Sequence, residues 1–376
     1  MNNNKYIPLL RFPEFQNDGE WELRSLAEIL NYEQPGAYIV NDTNYKKTGT
    51  PVLTANKGFI LGYTDESYGV YNDLPVIIFD DFTTDKKFVN FPFKVKSSAI
   101  KLLTLKNKNR DDLKFIFECM KNIKFEEKEH KRYYISTYQN IKILVPKSTQ
   151  EQKKIADCFV SIDKEIDATK RKLEQLKEHK KGLMQRLFPA KGKTTPELRF
   201  PEFQNDGEWV EVPFGSIINV NSGKDYKHLD VGNIPVYGTG GYMLSVNDRL
   251  SDIDAVGIGR KGTIDKPQYL KAPFWTVDTL FFLTSSKNYD IRYLYYLCQT
   301  IPWKTYGEQT GVPSISKNSI DKLDVVITTN LVEQQKIAQS LLHLDNAMDA
   351  IKRKIHLLET HKYGLMQNLF PNLNNY

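Results

Sequence analysis

The sequence predicts an α+β protein in which two modules of mixed α/β structure are joined by two long antiparallel coiled-coil helices, as a pseudo-twofold internal repeat. Three observations lead there. The twelve residues LRFPEFQNDGEW run from Leu10 to Trp21 and recur unchanged from Leu198 to Trp209. A 39-residue segment from Glu151 (EQKKIADCFVSIDKEIDATKRKLEQLKEHKKGLMQRLFP) returns from Glu333 (EQQKIAQSLLHLDNAMDAIKRKIHLLETHKYGLMQNLFP), identical at 21 positions without gaps. Between head and tail lie short apolar runs (PVIIF, AIKLLTL, AVGIG, TLFFL, LDVVI) of strand length, separated by Gly-, Asn- and Pro-rich turns. A duplication of this size organises the chain, and 376 residues suit two domains better than one core. The expected boundaries are a first module over 1–150, a first long helix over 151–190, a second module over 191–332 and a second long helix over 333–371.

The tails carry the clearest periodicity. Ile155, Phe159, Ile162, Ile166, Thr169, Leu173, Leu176, Lys180, Leu183 and Leu187 are spaced alternately by 4 and 3. The second copy repeats this with Ile337, Leu341, Leu344, Met348, Ile351, Ile355, Leu358, Lys362, Leu365 and Leu369. A seam recurring every 3.5 residues is the coiled-coil pattern, and two matching seams predict that each helix is the other's partner. Pro189 and Pro371 end both helices, because proline cannot continue the hydrogen-bond ladder. About 35 residues at 1.5 Å each make a rod of roughly 50 Å.

Within the modules the copies diverge, but faint echoes keep register. TGTPVLTANKGF (48–59) parallels VGNIPVYGTGGY (231–242), and DDLKFIFECM (111–120) parallels YDIRYLYYLC (289–298). YYISTYQNIKILV (133–145) parallels SISKNSIDKLDVV (314–326). DDLKFIFECMKNI and YDIRYLYYLCQTI are the short helix candidates.

Composition excludes several classes. No apolar run approaches the roughly 20 residues of a membrane helix, and MNNNKYIPLL lacks the apolar core of a secretory signal. Cys119, Cys158 and Cys298 form no CxxC pair and read as reduced residues of a cytoplasmic protein. The net charge of +6 favours a polyanionic partner only weakly. Residues 1–150 carry 22 basic and 19 acidic side chains, and 190–332 carry 15 and 16, so only a local basic patch argues for nucleic acid.

Catalytic motifs are sought and not found. GIGRKG (257–262) satisfies GxGxxG, but TIDKPQYLKAP follows it with two prolines instead of the helix that dinucleotide binding requires. A tight turn presenting Arg260 and Lys261 to a phosphate or a guanine edge fits better. Asp80, Asp81 and the DKK of 85–87 suggest a metal-dependent nuclease only in isolation, since the second module shows GRKGTID there. The chain lacks the GxxxxGK[ST] phosphate loop and an Asn-Pro-Pro-Tyr-type methylation motif, and the six histidines are scattered, with His179 and His361 on helix surfaces. No metal site is expected. TANK (54–57), YGTGGY (237–242), RYYIS (132–136) and TGV-PSIS (310–316) place hydroxyls, aromatics and bases on turns that suit base and phosphate contact.

The whole architecture resembles the specificity subunit of type I restriction-modification systems, usually called HsdS. The resemblance is carried by EQxKIA…GLMQxLFP in both tails and LRFPEF in both heads. NIPVYGTGG (233–241), GRKGTIDKP (259–267), FWTVDTLFFL (274–283) and PSIS (313–316) add to it, with PVIIFDDFT (75–83) as the first module's variant. It covers essentially the full chain. It implies two target-recognition domains held apart by the paired helices and an asymmetric, two-part double-stranded DNA target. It further implies assembly with two modification subunits and, for cleavage, two restriction subunits. S-adenosylmethionine, ATP and Mg are then expected on the partners, and neither a cofactor nor catalysis in this chain. The DNA-binding residues expected are Thr54, Asn56, Lys57, Lys86, Lys87, Arg132 and Tyr133 in the first module, and Thr239, Tyr242, Arg260, Lys261, Thr263, Ser314, Ser316 and Lys317 in the second. Lys170 to Lys172 and Lys352 to Lys354 are expected to dock modification subunits or meet phosphates.

Two rivals remain at this level: a self-contained duplicated nuclease or methyltransferase, which requires a catalytic constellation, and a scaffold without a DNA role. The heads read as attachment points. Leu10, Phe12 and Phe15, with Leu198, Phe200 and Phe203, are expected to fasten each module to the rod by apolar contact, and Leu10 to Phe15 to pack near the end of the second long helix.

Overall fold

The computed structural model describes residues 6–56, 58–126, 132–286, 288–307 and 313–371. The chain divides into two compact units, residues 1–168 with 355–376, and residues 169–354. Each unit takes one module and the adjoining part of both long helices.

The first unit runs β1 (Glu22–Ser25), α1 (Leu26–Ile29), β2 (Leu30–Glu33), β3 (Thr50–Leu53), β4 (Ile60–Thr64), β5 (Val76–Asp80), β6 (Lys86–Val89), β7 (Lys94–Val95), β8 (Ile100–Leu105), α2 (Leu113–Asn122) and β9 (Lys142–Val145), then enters α3 (Thr149–Leu187). The second runs β10 (Val210–Pro213), β11 (Ile218–Ser222), β12 (Val231–Gly238), β13 (Gly241–Val246), β14 (Ala255–Gly259), β15 (Gln268–Leu270), β16 (Trp275–Thr276), β17 (Leu280–Ser285), α4 (Ile291–Thr300), α5 (Lys317–Asp321) and β18 (Asp324–Ile327), then enters α6 (Leu331–Leu369). Their sheets have one topology: β2-β8-β5-β6 matches β11-β17-β14-β15, β4-β3-β7 matches β13-β12-β16, and β1-β9 matches β10-β18. Among the named strands of the described residues, the last pairing of each three-stranded sheet, β3 with β7 and β12 with β16, is the parallel one.

The buried strands explain the apolar runs. Every residue of β5 (VIIFD) and of β14 (AVGIG) is buried, as expected of strands covered on both faces. The short helices start on N-caps: the carboxylates of Asp112 and Asp290 accept from Phe115 N and Tyr293 N, each at 2.9 Å. The third echo is corrected. Tyr133 N donates to Asp81 O, and Ile315 N donates to Arg260 O at the same corner of the second unit. Tyr133 is therefore equivalent to Ile315, one residue on from the sequence pairing, and 133–145 match 315–327.

In α3 and α6 all twenty 4-3 positions are buried or half-buried, with exposed side chains between them. The helices run antiparallel in each unit. In the first, Lys362 near the end of α6 pairs with Asp163 early in α3. In the second, Lys180 late in α3 pairs with Asp345 early in α6 at 2.7 Å. None of the described helices is long and apolar enough to cross a membrane.

The verbatim head works chiefly through one residue that the apolar reading overlooked. Arg11 makes a two-pronged contact with Glu151 in the first turn of α3, at 2.7 Å in both prongs, and donates to Gly19 O. Arg199 does the same with Glu333 in the first turn of α6, at 2.7 and 2.9 Å, and with Gly207 O. Leu10 is 46% exposed, so it is not an apolar anchor; its amide instead donates to Asn368 O at the end of α6, as Leu198 N does to Arg186 O at the end of α3. Phe12 and Phe200 pack partly buried against the cores, and Phe203 is buried. Trp21 lies edge-on to Phe370, and Trp209 edge-on to Phe188.

The side chains of Arg199 and Glu333 are 8% and 0% exposed. Removing one partner of such a buried pair leaves a charge without solvent, so Arg199→Ala is expected to cost about 3–5 kcal/mol in urea unfolding. Lys336→Ala, which breaks the exposed pair with Glu202, should cost less than about 1 kcal/mol. Equal losses would remove the special role of the head arginine.

Candidate nucleic-acid interface

In the second unit three segments meet at the outer end of β14. The β12–β13 turn carries Thr239, the β14–β15 connection carries Arg260 to Thr263, and the returning chain carries Ser314 to Lys317. Arg260 N donates to Thr279 O at 2.7 Å, Ile315 N to Arg260 O at 3.0 Å, and Gly262 N to Pro313 O at 2.8 Å. Lys261 and Ser314 face each other as an antiparallel bridge. Gln268 Nε2 ties in the turn by donating to Gly238 O and Thr239 O at 3.0 and 3.1 Å.

Glycine is required twice here. A Cβ on Gly259 would stand 2.2 Å from Thr263 O, and Gly262 has φ +81°, a conformation that L side chains rarely adopt. GIGRKG is thus a strand and a hairpin turn, and no helix follows to receive a pyrophosphate. Arg260, Lys261 and Lys317 are exposed, while Thr263 and Ser314 are half-buried. Ser316 caps α5, its Oγ accepting from Ser319 N at 3.1 Å. Tyr242 is 64% exposed at the hairpin tip, its hydroxyl 3.2 Å from Ser245 Oγ.

The first unit builds the same corner from other residues. Asp81 N donates to Ala99 O, and Tyr133 N to Asp81 O, both at 2.8 Å. Asp81 therefore stands where Arg260 stands in the second unit, although DFTT and RKGT share little. Its carboxylate is buried, 3.0 Å from Lys101 Nζ, and accepts from Tyr134 N at 2.8 Å; Lys101 also reaches Gln34 Oε1 at 3.0 Å. Asp80 Oδ1 accepts from the amides of Phe82 and Thr83. Both acids are engaged in holding loops, and no group of three or more His, Cys, Asp or Glu able to hold a metal ion occurs among the described residues. Burial pushes the thiols of Cys119 and Cys298 up, away from the reactive thiolate.

The expected contact residues separate accordingly. Arg132 is exposed, with its guanidinium over the Phe82 ring at 5.9 Å. Lys86 and Lys87 lie half-buried on β6, Lys86 Nζ donating to Tyr138 Oη and Thr84 O at 3.2 Å each. Tyr133 is 3% exposed, its ring edge-on to Phe125, so it belongs to the core of the unit. Thr54 follows β3 and donates its amide to Phe59 O, and Asn56 is exposed in that turn. Lys57 lies outside the described residues. The sequence reading missed Phe82, Phe281, Asp81 with Lys101, and the head arginines. The signal for the first four was the alignment of VIIFDDF with AVGIGRK and of IKLL with LFFL.

If Asp81 is a structural partner, Lys101→Met should destabilise the chain by about 3 kcal/mol or more in urea unfolding, by stranding a buried carboxylate. Asp81→Asn/Lys101→Met should recover most of that loss. A metal-holding pair of acids predicts instead that Mg²⁺ stabilises the wild-type chain and not Asp81→Asn.

A family model for the type I restriction modification DNA specificity domain matches residues 18–178 and 206–360, one match in each half. The specificity subunit of type I restriction enzyme EcoR124I/EcoR124II from Escherichia coli is 31% identical over 369 residues, covering 88% of each chain. The MjaVIII specificity subunit from Methanocaldococcus jannaschii is 23% identical over 428 residues, covering 98% of this chain and 95% of that one. In fold, the S subunit of the type I system of M. genitalium superposes with a TM-score of 0.73 at 18% identity, covering 98% of this chain and all of that one. With a duplicated architecture and a family match in each half, this chain belongs to the type I restriction-modification DNA specificity family, as a specificity subunit.

Proposed function

We propose that each unit reads one half of an asymmetric, bipartite double-stranded DNA target through the corner at the end of β5 or β14. The observation that supports this most is the pairing of one backbone frame with different exposed side chains. The same amide-to-carbonyl bonds hold Asp81 and Arg260 in place, while the exposed groups around them differ. Two unlike half-sites require a shared scaffold with divergent loops.

In the second unit Arg260, Lys261, Thr239, Tyr242, Thr263, Ser314, Ser316 and Lys317 surround the readable surface. In the first, Arg132, Lys86, Lys87, Thr54, Asn56 and Lys57 take that part, with Tyr133 supporting from within. Lysines and loop amides that meet phosphates set position, and groups that meet base edges set sequence. Lys170 to Lys172 and Lys352 to Lys354 offer cationic helix faces to phosphates or to partner subunits; Lys352 is paired with Asp349 at 2.8 Å. Two modification subunits and, for cleavage, two restriction subunits complete the working complex. S-adenosylmethionine, ATP and Mg²⁺ bind to those partners. This chain contributes binding and orientation only.

Mapping of methylated adenines in cells with and without this chain tests the proposal. The expected outcome is a two-part, non-palindromic motif that disappears when the chain is removed. An unchanged methylation pattern would contradict it, as would methyl transfer or cleavage by the purified chain supplied with DNA, Mg²⁺, ATP and S-adenosylmethionine.

A further inference from the structure

The chain has eleven arginines. Six are held by carboxylates: Arg11, Arg24, Arg110, Arg186, Arg199 and Arg249. Arg292 is half-buried over the Tyr269 ring, and Arg171 and Arg353 lie on the long helices. Two remain, Arg132 and Arg260, one in each unit. Both are exposed, and neither guanidinium has a carboxylate partner among the described residues.

Both occupy the same corner of the fold, and both sit over a phenylalanine: Arg260 over Phe281 at 5.8 Å, Arg132 over Phe82 at 5.9 Å. Yet the pairs are not equivalent residues. Phe281 faces Ile258 across the β14–β17 ladder, and Lys101 faces Phe79 in the matching β5–β8 ladder, so Phe281 corresponds to Lys101. Arg260 corresponds to Asp81, Phe82 to Lys261, and Arg132 to Ser314. Where the second unit has Arg260 on Phe281, the first has the buried pair Asp81–Lys101. One residue further out, the first unit assembles another arginine on another phenylalanine. The same arrangement is thus built twice from different parts.

A guanidinium over an aromatic face keeps its planar fork of donors pointing outward and loses less freedom on binding than a free side chain. That fork matches the O6 and N7 acceptors of guanine in the major groove, the commonest base-specific contact made by arginine. Resting on the assignment of one reader to each unit, we propose that Arg132 and Arg260 each read a guanine in the major groove, one in each half of the target, with Phe82 and Phe281 as positioning residues.

The test uses the full chain assembled with its methylating subunit and duplex libraries randomised over both half-sites. Wild type should require guanine at one or more positions in each half. Arg260→Lys keeps the charge but not the fork, and should lower the preference for one such guanine about ten- to a hundredfold, leaving the other half intact. Arg132→Lys should do the same in the other half. Replacing the affected guanine with 7-deazaguanine, which lacks the N7 acceptor, should weaken wild type and leave the matching lysine variant unmoved. Phe281→Leu and Phe82→Leu should reduce the same preferences and retain affinity for mismatched DNA. Lysine variants that keep every wild-type base preference would assign the arginines to phosphates and overturn the inference, as would both acting on one half. A wild-type complex that selects no two-part sequence would overturn the reader assignment itself.

Discussion

The first turn of each long helix is the constraint on which the rest of each unit depends. Glu151 and Glu333 receive the head arginines, and the residue that follows each receives the module's short helix. Gln152 Oε1 accepts from Asp112 N, and its Nε2 donates to Arg110 O and Pro146 O. Gln334 repeats this with Asp290 N and Thr328 O. The pair EQ, unchanged in both tails, therefore ties three separate stretches of chain to one helix end. All four side chains are buried, where an unpaired polar group costs far more than a made hydrogen bond contributes. Glu333 also draws the Thr328 hydroxyl at 2.6 Å and holds the Arg199 guanidinium even further from deprotonation.

A second polar junction lies further along the seam. Lys180 and Lys362 occupy seam positions where an apolar residue is the rule. Each meets an aspartate of the opposite helix, and that aspartate also binds a group of the neighbouring short helix. Asp345 accepts from Lys180 and from the Tyr296 hydroxyl at 2.8 Å; burial, then that hydrogen bond, pushes the hydroxyl up. Asp163 receives Lys362 and, at 3.4 Å, Lys121 of α2. A charged group at one seam position disfavours every register that leaves it without its partner, so these pairs select the antiparallel alignment. Their energetic contribution is smaller than their directional one, since desolvation offsets much of the attraction.

Heads, tails and helix seams were legible because their information is local or verbatim. A 4-3 spacing needs no knowledge of distant chain, and Pro189 and Pro371 mark the ends directly. The modules were less legible because their strands pair across long separations: β2 with β8, β11 with β17, and the parallel β3 with β7 and β12 with β16. Hence the third echo was misaligned by one residue, and the backbone bonds of Tyr133 and Ile315 set the register that the divergent side chains do not. The head was misread through a bias toward apolar anchors, because the partner that covers the Arg11 side chain is 140 positions away. At the candidate interface, Arg260 and Lys261 were visible from their turn. Tyr133 was not separable from exposed tyrosines, since nothing in RYYIS shows which ring turns inward.

The same distance between backbone and side-chain information explains how two unlike surfaces share one frame. The corner after β5 or β14 is held by bonds between main-chain groups: Asp81 to Ala99 and Tyr133, Arg260 to Thr279 and Ile315. None of these bonds involves a side chain, so substitution there leaves the corner in place provided that burial remains satisfied. An aspartate at this site needs a buried cation, and Lys101 supplies it; an arginine needs an open face and an apolar support, and Phe281 supplies that. The substitutions are therefore coupled in pairs across neighbouring strands. Exchanging Asp81 for arginine alone would leave Lys101 buried without its partner, and both members must change together for the corner to present new chemistry. A surface built in this way diverges by paired steps while the fold beneath it stays constant.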